Sequence, residues 1–333
     1  MAQNHFMGLD GFVWFTGVVE DRNDPSQLGR VKVRCLGFHT DNKDDIPTAD
    51  LPWAHIMHPV TNPSVQGLGQ TPSFLVEGTW VIGFFSDAKE KQQPIIMGTL
   101  PGYPQSTPDI TKGFNDPNGT YPSSAITHSG HSTEESDINR LARNETDKEH
   151  SVVANKNDSI TENVAIANVD TTWTEPSSAY AATYPKNHVF ESESGHIKEI
   201  DDTTDNERIH EYHTAGTFYE IDKDGNKSTR VVGSNYEVVA GSNYVNVKGD
   251  VNLTIDTNCN TYIKGDWNIQ VDGSKTEVVT GAVSETYKDT KTETVTGAVS
   301  ETYSANQTTN ITGTLDLDAS SEIDMDAGTI NMN

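Results

Sequence analysis

The sequence predicts an all-β protein: a small N-terminal barrel, an extended linker and a C-terminal rod built as a triple-stranded, intertwined β-helix. Three observations predict it. Short apolar runs alternate with turn signals up to residue 104, residues 105–185 are polar with few large apolar side chains, and from Gly225 onward glycine recurs at multiples of eight residues.

The first element is a barrel over residues 1–104. FVWFTGVVE (12–20) and GRVKVRCLGFH (29–39) flank the polar turn DRNDPSQL, and in the second run Val31, Val33 and Cys35 alternate with Lys32 and Arg34. That period of two is the signature of a half-buried strand. LPWAHIMHPV (51–60), GTWVIGFFSD (78–87) and PIIMGTL (94–100) supply three more strands. Five short strands in so few residues suit a closed barrel, with Gly37, Gly78, Gly83 and Gly98 at ends, bends or bulges.

Composition changes at Pro101. Residues 105–185 are rich in Ser, Thr, Asn and Asp, and only DINRLARN (137–144) has the makings of a brief helix. Without a core of its own this stretch reads as an extended linker that lies along other subunits. Residues 186–224 form an antiparallel β lead-in, since HVFESESGHIKEIDD (188–202) and TFYEIDKDGNKSTRVV (217–232) alternate and carry hairpin turns.

The rod occupies residues 225–333. Gly225, Gly233, Gly241, Gly249, Gly265, Gly273, Gly281, Gly297 and Gly313 share one register, and Thr257, Asp289, Ala305 and Ser321 fill its other rungs; only Gly328 slips by one residue. Two residues before the rungs stand Val231, Val239, Val247, Ile255, Ile263, Val271, Val279, Tyr287, Val295, Tyr303 and Ile311. Each octad reads as a short strand closed by a turn, because glycine reaches positive φ cheaply and β-branched residues favour a pleated surface. KTEVVTGAVSETY (275–287) recurs almost unchanged as KTETVTGAVSETY (291–303), a shift of two octads that keeps the phase.

An octad offers one assured inward apolar side chain, too little to bury both faces of a single chain. Three chains wound about one axis let the Val/Ile positions meet, and every strand edge is paired by a neighbour. The expected state is a homotrimeric prism with glycine turns at its corners.

Charge and composition narrow the functions. The formal net charge is −26, with −4 on residues 1–104 and −22 on the remainder, so nucleic-acid binding is disfavoured. An apolar fraction of 33% fits a thin solvated fibre better than one large core. No run spans a bilayer and MAQNHFMGLD lacks a signal-peptide core, so synthesis and assembly in a cytosol are expected. Cys35 and Cys259 lie in different segments and read as two buried structural thiols, not a disulfide.

Candidate chemistry is sparse. His55 with His58, His128 with His131, and His210 with His213 invite a metal reading, but HEYH is one residue short of the zinc signature HExxH. DKDGNK (222–227) begins like a calcium loop without its later acidic ligands, and a turn is the better reading. Glu277, Glu285, Glu293 and Glu301 form a period-eight ladder, with Lys275 and Lys291 nearby; ion pairing between chains explains it better than an active-site pair. No catalytic, metal-ligating or cofactor-binding residue is assigned, and an ion on the trimer axis is the one cofactor the architecture leaves room for.

WFTGVVEDRNDPSQLGRVKVRCLGFH (14–39), IPTADLPWAHIMHPVT (46–61), VEGTWVIGFF (76–85) and GFNDPNGTYP (113–122) resemble the N-terminal region of the central spike proteins of T-even-type contractile phage tails. WTEPSSAYAATYP (173–185) and ESGHIKEIDDTTDNERIHEYHTAGTFYE (193–220) resemble the start of that family's C-terminal needle, and the octads resemble its V-x-G repeats. The resemblance implies an oligonucleotide/oligosaccharide-binding (OB) barrel and a trimeric needle in the virion baseplate. It implies a hub protein and the tail tube as partners of the barrel, a PAAR-type tip protein on the C-terminus near Met332 and Asn333, and transient contact with the host outer membrane. T-even-type members carry a lysozyme domain between barrel and needle. Here only about fifty residues separate GFNDPNGTYP from WTEPSS, too few for that fold, so no muramidase residue carries over and the chain is expected not to be an enzyme. The related spikes of type VI secretion share the architecture, and a β-helical polysaccharide depolymerase or receptor-binding tail protein is the enzymatic or adhesive alternative.

Overall fold

The computed structural model describes residues 11–330 apart from 71, 88, 104–108, 116–135 and 146–159. Residues up to Cys259 form one compact unit and residues 260–333 a second, each described by itself.

The five apolar runs of the N-terminal segment become strands β1 (Val13–Asp21), β2 (Val31–Cys35), β3 (Trp53–Ile56), β4 (Trp80–Phe85) and β5 (Pro94–Thr99). They close into a barrel in the order β1-β2-β3-β5-β4, with β1 against β4 and with β3 and β5 parallel, which is the order of an OB barrel. A 3-10 turn (Thr48–Asp50) lies between β2 and β3. Phe15, Val19, Val31, Val33, Cys35, Val81, Phe85 and Ile96 fill the barrel as the alternation requires. Gly17 and Gly83 sit where strands pass closely: an added Cβ would lie 2.5 Å from the Arg34 carbonyl oxygen and 2.2 Å from that of Ile95.

Past a small hairpin, β6 (Val164–Ala165) with β7 (Thr172–Trp173), come five antiparallel strands. β8 (Asn187–Glu191), β9 (Ile197–Asp201), β10 (Arg208–Tyr212), β11 (Phe218–Ile221) and β12 (Lys227–Arg230) pair in chain order as a meander. The sheet therefore runs past residue 224, and Gly225, at φ +79°, tips the β11–β12 hairpin instead of closing an octad.

The linker differs from its expected extended form. Residues 137–144 make a turn and no helix, and Leu141, buried to 1% exposure, packs with Tyr180, Ile197, Tyr212 and Phe218 on one face of the meander. The segment has little apolar surface of its own and borrows that of the sheet. The barrel touches the sheet as well: Arg22 donates to both Glu193 carboxylate oxygens at 2.5 and 2.8 Å, and Phe74 meets Phe190 edge-on at 4.7 Å.

Beyond Arg230 no described residue of the octads forms a strand, and every described one is exposed. The backbone bends in pairs at 232–233, 240–241, 248–249 and at each further eighth residue to 320–321, so the rungs without glycine bend in phase with the rest.

Candidate functional site

On the described barrel surface Trp53 is flanked by two cations. Arg30 and Lys32 lie 5.6 and 5.0 Å from the Trp53 ring centroid. Both are engaged internally: Arg30 donates to Asp24 through Nε at 2.9 Å and Nη2 at 2.8 Å, and Lys32 donates to the Ala49 carbonyl. A phosphate backbone would have to displace those partners.

The covered face of the meander holds charge beside its apolar cluster. The face covered by the linker carries charge: Arg208 contacts Glu199 at 2.8 Å and Glu220 at 2.9 Å, and His210 Nδ1 lies 2.8 Å from Glu220 Oε2. Ser178 Oγ and the Ala179 amide donate to the same carboxylate at 2.7 and 2.8 Å, and Arg230 pairs with Glu175 at 2.5 Å. Burial raises the Glu220 pKa, but the hydrogen bonds from His210, Ser178 and Ala179 with the Arg208 charge outweigh it and hold the group at about 2. This network fixes the linker onto the sheet. Its residues were legible only as strand alternation; nothing in the sequence marks which face the linker covers.

The proposed histidine pairs do not converge. His210 is buried on the covered face, while His213 is exposed beyond β10, its ring tilted against that of His196 at 4.5 Å. His55 is exposed on β3 with His58 just past its end, and His128 and His131 fall outside the described residues. Among the described residues no three His, Cys, Asp or Glu side chains come together as a metal site. DKDGNK forms the expected turn, with Asp222 accepting from the Asp224 and Asn226 amides. Burial pushes the Cys35 thiol up to about 12, whereas Cys259, expected to be buried as well, is exposed in an octad with no core of its own.

In the octads one register stands apart. Val231, Val239, Val247, Ile255, Ile263, Val271, Val279, Val295 and Ile311 are 39–51% exposed, whereas Tyr236, Val238, Tyr244 and Tyr262 reach 85–92%. Two further apolar positions share its alternation, four and six residues before each bend. Val245, Leu253, Ile269 and Leu317 occupy one, and Val251, Trp267, Val283, Val299 and Leu315 the other. Period-two counting within each octad finds them; the one-per-octad count missed them. Glu277, Glu285, Glu293 and Glu301 belong to this same alternation. Lys275 contacts Glu277 at 2.8 Å, Lys291 contacts Glu293 at 3.4 Å, and the Tyr287 and Tyr303 hydroxyls donate to Glu285 and Glu301 at 3.1 Å.

The octad glycines do not serve the purpose expected of them. Gly233, Gly241, Gly249, Gly265, Gly273, Gly281, Gly297 and Gly313 all lie outside the left-handed region, and a Cβ on any of them would meet nothing within 4 Å. Their own chain requires neither the freedom nor the space.

An OB barrel, a five-stranded meander and a run of period-eight bends follow one another along the chain. Residues 37–189 match the Gp5 N-terminal OB domain family, a span that opens inside the barrel and runs into the meander. The chain is 42% identical over 286 residues to "Protein Gp5" of Vibrio phage KVP40, covering 77% of this chain and 66% of that protein. It is 44% identical over 114 residues to the "Pre-baseplate central spike protein Gp5" of Enterobacteria phage T4, covering 33% of this chain and 20% of that protein. The chain is thus similar to T4-like central spike proteins, and it spans just under two thirds of the length of the first relative and a fifth of the second.

Proposed function

We propose that this chain is the central spike of a contractile phage tail baseplate, a structural and non-enzymatic component of the virion. Three copies wind their octads into a triple-stranded β-helix that punctures the host outer envelope when the sheath contracts. The observation that carries this reading is the octad segment itself. Its apolar alternation is open to water and its glycines are unused by their own chain, so both await neighbouring chains. An interlocked prism suits a punch, since bending it would break many strand hydrogen bonds together.

The name of the T4 relative supports a place in the baseplate, and the KVP40 protein, which shares the Gp5 name, matches over most of the chain. In this reading the OB barrels seat on a hub protein under the tail tube, and the C-terminus receives a PAAR-type tip protein. Nucleic acid is not a partner, given the net charge of −26. Peptidoglycan cleavage falls to another protein.

Light-scattering mass of the full chain tests the reading. A trimer with an elongated hydrodynamic profile is expected, and a stable monomer would sink it. Release of glycan fragments from purified peptidoglycan by the protein alone would sink the non-enzymatic part.

A further inference from the structure

We propose that the β6–β7 hairpin is a strap laid across the octads of two other copies of this chain and pinned at both ends to its own. The proposal rests on the three-chain rod and gives the linker a partner in it.

The hairpin is held at two points. At its base Glu175 accepts from the Ile160 amide at 2.9 Å and pairs with Arg230 at 2.5 Å, where β12 ends. At its tip the Ala165 carbonyl accepts from Thr254 Oγ1 at 3.0 Å. Arg230 and Thr254 hold the same place in their octads, three residues before a rung, and three pairs of bends lie between them. Three bends bring a chain wound on a triangular prism back to the side it left, so one side of the rod carries both anchors.

The hairpin measures the rise of that turn. The Thr161 carbonyl accepts from the Glu175 amide at the base, and from Thr161 to Ala165 the strand advances four residues, about 13 Å. With rungs stacked about 4.8 Å apart, one turn rises about 5 Å for a chain wound alone, about 10 Å for two chains and about 14 Å for three. The same stretch unwound would run about 80 Å. Only the three-chain rise fits the hairpin. Two rungs from other copies then lie beneath it, residues 234–241 of one and 242–249 of the next.

Those two octads are suited to being covered. Their outward positions hold Tyr236, Val238 and Tyr244, which are 86%, 92% and 91% exposed on their own chain. The following octad carries Asp250, Asn252, Thr254 and Asp256 at its outward positions. The hairpin supplies a matching apolar face, with Val164 paired to Trp173 and Ile166 two residues further on the same side. A two-stranded hairpin is marginal without a surface to lie on, and exposed apolar groups gathered in this way mark an interface.

Engineered disulfides read the contact. Trp173 stands opposite Val164, about 10 Å along the strap, and so level with Asn246 of another copy. W173C is combined with N246C in the full chain carrying C259S, buried Cys35 being left in place, and mass is measured on the same sample. The expected result is a trimer whose oxidation yields disulfide-linked protomers on a non-reducing gel, which neither single variant yields. T174C with V238C repeats the measurement one rung lower if the first pair does not fold. A trimer in which neither pair links protomers, or in which the link closes within one chain, would overturn the strap while leaving the rod intact. A monomeric mass for the unsubstituted chain would overturn the rod, and the strap with it.

Discussion

Arg34 and Glu20 form an ion pair sealed inside the barrel wall, Nε to Oε1 at 2.5 Å with both side chains wholly buried. Arg34 also donates to the Thr40 and Ile46 carbonyls at 2.7 and 2.8 Å, and Thr48 Oγ1 donates to Glu20 at 2.8 Å. The pair thus pins the β2–β3 connection to the barrel. Removing one partner strands a buried charge, at a cost of about 3–5 kcal/mol. Glu20→Gln and Arg34→Met should each speed amide exchange across β1 and β2 measured by mass spectrometry on the full chain. Unchanged exchange would show that the pair contributes nothing to the barrel.

The meander should be acid-labile. Glu220 is held at about 2 against an ordinary 4.5, so its folded-state pKa is depressed. Its contribution is complete above about pH 4.5 and is lost as pH falls from there towards 2, because the unfolded chain takes up the proton first. The loss is on the order of 2–3 kcal/mol. Exchange protection of β10 and β11 should fall through that window, and Glu220→Gln should remove that part of the pH dependence while lowering protection at neutral pH.

The barrel was legible in the sequence because its strands carry their own pattern. Val31, Val33 and Cys35 alternate with polar neighbours, and turn residues bound every run. The meander was legible as strands but not as a sandwich of linker and sheet. Leu141 is an isolated apolar residue in polar surroundings, and its burial at 1% depends on a sheet far along the chain. The octad period was fully legible, and the bends fall on it. The reason for its glycines was not: positive φ is a local requirement that one sequence can suggest, whereas room for another chain is not local at all.

The two thiols should part company on oxidation. Cys35 is buried and its thiolate suppressed, whereas Cys259 sits six residues before a bend, in the alternation that carries Ile263. In the proposed trimer the Cys259 side chains of the three chains would face one another at one level. Mild oxidation of dilute protein should yield disulfide-linked protomer pairs on a non-reducing gel, leaving one protomer in three unlinked. Cys259→Ser should abolish the pairs and Cys35→Ser should not. Protomer pairs absent from a protein of trimeric mass would place the 259 position away from the axis.

Ile263 and Tyr262 are neighbours on opposite alternations, 43% and 85% exposed in their own chain. Judged on one chain alone, an aspartate at either position costs little, since both side chains reach water. In an intertwined rod the two positions separate. Position 263 points at the other chains and an aspartate there buries three unpaired carboxylates at one level, several kcal/mol against assembly. Position 262 points outward, so its aspartate stays solvated. Ile263→Asp should therefore abolish the trimer, or lower its unfolding temperature strongly, while Tyr262→Asp leaves mass and melting nearly unchanged. The reverse order would mean that the octads wind with their other face inward, and equal small effects would mean that they do not wind at all.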